Sequence, residues 1–152
     1  LFVTNRAQNT GNITQETTVA DGPVKFETVL KFQMSNYKER VFFTITSQEE
    51  WQKVWGEMQA NVTPLPVLPI VDFSKEMVVL VFQGTQSNAG YSIEVTRVEK
   101  KDGVIGVRVK EVSPGAGCFT AQVITAPVHI VKMPKVDAKF EYDIKYEKME
   151  CR

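Results

Sequence analysis

Met77-Val-Val-Leu-Val-Phe82 is an unbroken apolar run. It is too short for a free-standing helix and rich in β-branched residues, so it predicts a strand. With no polar residue at alternate positions, that strand has no face to give to water. It has to be a central strand covered on both sides, and the rest of the chain has to supply the covers.

The remaining strands are amphipathic. Val24, Phe26, Thr28, Leu30 and Phe32 share one face and Lys25, Glu27, Lys31 and Gln33 the other, which predicts a half-buried strand from Val24 to Gln33. Val41, Phe43 and Ile45 predict a second strand, hairpin-paired with the first through a turn at Ser35-Asn36. Tyr91, Ile93 and Val95 alternate with Ser92, Glu94 and Thr96; Ile105, Val107 and Val109 return on the far side of Asp102-Gly103, a favoured tight-hairpin pair. Val128 to Met133 is strand-like and Pro134 closes it. Phe140, Tyr142, Ile144 and Tyr146 alternate with Glu141, Asp143, Lys145 and Glu147, which predicts a final strand with one charged, watered face.

One helix is expected. Ser47 and Glu50 have capping-box spacing, and Trp51, Val54, Trp55 and Met58 fall on one helical face. Pro64, Pro66 and Pro69 then mark a stiff extended connector. The predicted fold is α+β: a mainly antiparallel sheet of about seven strands, curled toward a sandwich or half-barrel, with one amphipathic helix packed on it. Residues 1–22 read as a flexible N-terminal arm or linker with a short strand at Phe2–Thr4, and residues 23–152 as a single β-rich domain.

The 18 Lys and Arg balance the 18 Asp and Glu, so the chain lacks the basic footprint of a nucleic-acid binder. No stretch is apolar over the roughly 20 residues of a membrane-spanning helix. The sequence opens at Leu1, which fits an upstream signal peptide or lipid-anchored leader. Asn12-Ile-Thr14 and Asn61-Val-Thr63 match the glycosylation acceptor pattern.

Reactive chemistry is sparse. His129 is the only histidine and lies inside a strand; a dyad with Cys118 has no surrounding motif that would activate the thiol. A packed or solvated imidazole is the ordinary reading. Cys118 and Cys151 form either one disulfide, suited to an oxidising compartment, or two separate thiols. No spacing supports a zinc, calcium or phosphate site, so no metal and no cofactor is expected. The loops Gly84–Gly90 and Ser113–Gly117 remain. They are expected near one another at one end, with Gln86 and Asn88 offering donors and acceptors.

The ordered set Val78-Val-Leu-Val-Phe-Gln-Gly84, Gly90-Tyr-Ser-Ile-Glu-Val95, Pro114-Gly-Ala-Gly-Cys118, then Gln122, Thr125, Pro127 and Val128-His-Ile-Val-Lys-Met-Pro134, resembles the PrcB C-terminal domain family. Gly90, Tyr91, Gln122, Thr125 and Pro127 fall on the family's recurrent positions, and a glycine at 90 is expected to hold a backbone conformation only glycine tolerates. The resemblance implies an exported, non-enzymatic domain at the cell surface, in the periplasm or secreted. It would bind another protein, as an accessory or stabilising subunit of a surface protease complex. The candidate binding residues are Gln86, Asn88, Gly90, Tyr91, Gln122 and Thr125. Two alternatives stand beside it. Asn88-Ala-Gly-Tyr91 is similar to the inhibitory loop of chagasin-like cysteine protease inhibitors, although the Arg-Pro-aromatic loop of that family has no counterpart at Ala126-Pro127-Val128. The other alternative is a structural cell-envelope domain.

Overall fold

The structure, a computed structural model, describes residues 19–151. The expected strand at Phe2–Thr4, the Asn12 acceptor and most of the expected arm lie outside the described residues. The elements are β1 (Gly22–Pro23), β2 (Glu27–Phe32), β3 (Val41–Ile45), α1 (Gln48–Met58), β4 (Glu76–Phe82), β5 (Ser92–Lys101), β6 (Val104–Pro114), β7 (Val128–Pro134) and β8 (Lys139–Met149). They form two four-stranded sheets, ordered β1-β5-β6-β8 and β2-β7-β4-β3. Every pairing is antiparallel except β6 with β8, which is parallel and in continuous register from Val104↔Lys139 to Pro114↔Met149.

The central apolar strand accounts for the layering. Met77, Val79 and Val81 of β4, with Val131 and Met133 of β7, face Ile93, Val95, Val98, Ile105, Val107 and Val109 of the other sheet. Val78, Leu80, Phe82, Val128 and Ile130 point the opposite way, onto Trp51, Val54, Trp55 and Met58 of α1. The result is three layers, sheet on sheet on helix, with β4 and β7 buried on both faces. Ser47 caps α1 by accepting the Glu50 N–H at 3.3 Å. The two indoles also fasten the proline connector. Trp51 Nε1 donates to the Pro69 carbonyl at 3.0 Å and Trp55 Nε1 to that of Pro66 at 2.9 Å.

Two sequence-based expectations fail. β2 and β3 are not a hairpin: β2 pairs with β7 and β3 with β4, on opposite edges of one sheet. The doubly apolar strands β4 and β7 take the middle, and the amphipathic strands are left the edges. The connecting segment instead bridges other loops, with Ser35 N–H on Ala126 O at 3.1 Å and Asn36 N–H on Met58 O at 2.8 Å. Nor is Val24–Gln33 one strand with one apolar face. Val24 donates to Val98 O in the first sheet, and a bulge between Thr28 and Leu30 turns the chain over. Val24 and Phe26 therefore enter the core between the sheets, while Leu30 and Phe32 enter the core under the helix. The Asp102-Gly103 hairpin forms as expected, with φ of 51° and 78°, the left-handed pair a two-residue loop requires.

Leu80 is fully buried beneath α1. Leu80→Ala is expected to cost about 3 kcal/mol of unfolding free energy through lost transfer energy and a residual cavity. Urea denaturation measures it, and a loss below about 1 kcal/mol would contradict the layered packing.

Candidate functional site

The loops joining β4 to β5 and β6 to β7 come together at one end, and the chain terminus joins them. Gln86 and Thr125 exchange both backbone hydrogen bonds, at 2.7 and 3.0 Å. Thr125 Oγ1 donates to Asn88 O at 2.9 Å, and Ala89 N–H donates to Ala121 O at 3.0 Å. The Gln33 amide reaches across from the end of β2 to the carbonyls of Ala89 and Tyr91. On the other flank, Gly115 N–H donates to Met149 O at 2.9 Å and Cys118 is disulfide-bonded to Cys151, with Cα atoms 4.9 Å apart. Two separate thiols are thereby excluded. The bridge ties the loop after β6 to the residues after β8, so the loop is held at both ends.

This frame uses most of the polar groups expected to bind a partner. Gln86 gives its backbone to Thr125 and its side-chain amide to Gln83 O at 3.1 Å. Asn88 accepts the Gly90 N–H on its side chain at 2.8 Å. Thr125 is buried. Gln122 is exposed, with its amide on Thr120 O at 3.2 Å. Tyr91 is half-buried. Gly90 also differs from expectation. The left-handed glycines are Gly22, Gly84, Gly103 and Gly117, and Gly90 is not among them. Space is what requires glycine there: a Cβ would stand 2.7 Å from Thr120 Cγ2 and 2.8 Å from Pro114 Cβ. Close packing of two loops, not backbone conformation, makes position 90 special.

What the end displays is apolar. Phe119 is 102% exposed and Ile124 69%, with Val123 between Ile124 and the polar Gln122. Met34, bridged through its backbone to Ala126, adds a further exposed side chain. Sequence reasoning passed over these residues because they lack strand or helix periodicity. Their signal was apolar residues stranded in a segment rich in turn-forming residues, next to a cysteine.

His129 lies elsewhere, in the core between the sheets, and is 3% exposed. Val95 N–H donates to its Nδ1 at 2.9 Å, and its Nε2 is 2.9 Å from Thr28 Oγ1. A backbone N–H can only donate, so Nδ1 is unprotonated and the neutral ring carries its proton on Nε2, shared with Thr28. The imidazole joins three strands from the two sheets. Burial is the main force pushing its pKa down to about 4, helped by Lys31 and opposed by Glu94. Both ring nitrogens are engaged and the Cys118 sulfur is in a disulfide, so no thiol–imidazole couple exists. Among the described residues, no group of three His, Cys, Asp or Glu side chains is placed to hold a metal.

Residues 77–134 match the family model described as PrcB C-terminal. The match runs from the start of the central strand to the end of β7, and includes both loops and the apolar tip. No curated protein and no solved structure matches the chain.

Two outcomes are expected. Gly90→Ala should cost about 1–3 kcal/mol and expose the 115–125 segment to limited proteolysis, because the two loops must separate; unchanged stability and cleavage would contradict the close contact. His129 stays neutral in the folded state and titrates near 6.5 when unfolded, so its contribution is complete above that pH. It is lost as pH falls through 6.5 toward about 4. Between pH 7.5 and 4 the native protein should lose on the order of 2 kcal/mol more than His129→Gln, measured by urea denaturation. Parallel pH profiles would show that the imidazole is not held neutral.

Proposed function

We propose that this chain is a non-enzymatic, exported protein-binding domain that docks another protein, an accessory or stabilising unit beside a surface protease. One observation carries this reading. The loop after Cys118 projects Phe119 and Ile124 into water from a frame locked by a disulfide and a two-bond backbone bridge. A rigid loop loses little conformational entropy on docking. A single exposed aromatic that becomes fully covered contributes about 2 kcal/mol by area, and such residues are the usual anchors of interfaces. The disulfide suits an oxidising compartment, which fits export. The match to the PrcB C-terminal family over residues 77–134 supports a place next to a protease.

The immobilised protein is tested against an envelope extract of its source, with the captured protein identified by mass spectrometry. The native chain and His129→Gln should retain the same partner, and a Phe119→Asp/Ile124→Asp double variant should lose at least about 90% of it, as expected for an interface hot spot. Equal capture by the double variant would refute docking through this tip. Inhibition of a papain-like protease that Gly90→Glu abolishes would instead establish the chagasin-like reading through Asn88–Tyr91, and capture of nothing would leave a structural envelope domain.

A further inference from the structure

The four sheet edges are not alike. β1 is two residues long and contains Pro23, β2 carries a bulge between Thr28 and Leu30, and β3 is five residues long. Short length, proline and bulges are backbone devices that stop an edge from recruiting any other strand, whereas charged side chains bar only a partner of the wrong charge pattern. β8 has none of the backbone devices. It is 11 residues long, pairs with β6 without a register shift, contains no proline, and packs Phe140, Tyr142 and Ile144 against the core, with the exposed Tyr146 continuing the same uncharged row. Its outer edge has no strand partner among the described residues.

The charges on its outward face are self-complementary. In an antiparallel pair across a two-fold axis, directly opposite residues share a face, so outward residues meet outward residues. With the axis at Asp143, Lys139 faces Glu147 and Glu141 faces Lys145, each twice by symmetry. The inward side chains then align Phe140 with Tyr146 and Tyr142 with Ile144, which would cover a Tyr146 ring that is 69% exposed in the single chain. The one like pair is Asp143 with itself, and each copy holds Arg108 Nε 3.7 Å from that carboxylate. Shifting the axis one residue earlier sets Lys139 against Lys145, and one residue later sets Glu141 against Glu147. Of these three registers only the Asp143-centred one matches charge on both flanks, and it opposes two Lys/Glu combinations where the Tyr146-centred register opposes one, Lys145 with Glu147, and the Glu141-centred register one within the strand, Lys139 with Asp143.

We propose that β8 is a docking edge for a second copy of this chain, which pairs antiparallel about Asp143 and joins two four-stranded sheets into one of eight. This surface is separate from the apolar loop tip and does not depend on the partner read there.

Sedimentation equilibrium of the full chain over a concentration series should show a mass rising from 17.2 kDa toward twice that value. Lys145→Glu turns two attractive pairs into repulsive ones and should weaken association about tenfold or more. Adding Glu141→Lys to it restores opposite charges and should recover native association to within about threefold. Under mild oxidation Asp143→Cys should form a disulfide-linked dimer, because opposite Cα atoms in an antiparallel pair lie about 4.5–5.5 Å apart. Lys145→Cys, which faces Glu141 of the second copy in this register, should not. A single-chain mass at every concentration, dimers that Lys145→Glu leaves intact, failed rescue, or equal cross-linking at both positions would overturn the proposal; the first would assign the edge to another occupant.

Discussion

The structure depends on the burial of β4 and β7 on both faces. Neither strand has a polar row to offer water, so each needs a cover on each side. The β5–β6–β8 sheet supplies one and α1 with its two tryptophans supplies the other. This requirement also sets strand order. Amphipathic β2 and β3 can tolerate an edge and β4 and β7 cannot, so the centre of the sheet is filled from distant parts of the chain.

A buried polar bond crosses the apolar layer. His129 accepts from Val95 in one sheet and is bonded to Thr28 in the other. A neutral imidazole with both nitrogens paired satisfies a backbone N–H that would otherwise be orphaned inside the core. The one residue most readily suspected of catalysis thus serves the alignment of the sheets. The disulfide works similarly at the surface, joining the end of β8 to the loop after β6 and making the loop cluster part of the frame.

Legibility followed the range of the forces involved. The α1 stripe, the Asp102-Gly103 hairpin and the alternation of β5, β6 and β8 rest on neighbours within a few residues, and all were readable. The β2–β3 hairpin was misread because adjacency in sequence says nothing of which strands tolerate an edge. The bulge at Thr28–Leu30 left one local trace, the adjacent apolar pair Val29-Leu30 that breaks the alternation, and which strand the chain crosses to after it is set by distant partners. At the candidate site, the loops were identified and their proximity expected, but their polar residues were assigned to a partner when the fold itself consumes most of them. The bonds that join the two loops link residues more than 30 positions apart, as in Gln86 with Thr125, while the side chains of Gln86, Asn88 and Gln122 bond two or three residues away.

By itself the sequence determined that one strand must be sandwiched, that one helix must cover it, and that reactive chemistry is scarce, because hydrophobic periodicity and residue inventory are local properties. Only the tertiary structure decided that Gly90 answers to Pro114 and Thr120, that Phe119 and Ile124 stand in water, and that β8 runs parallel to β6 with its other edge open among the described residues. Those outcomes depend on which surfaces remain after the doubly apolar strands have been covered, a condition of the whole packed chain that no single segment encodes.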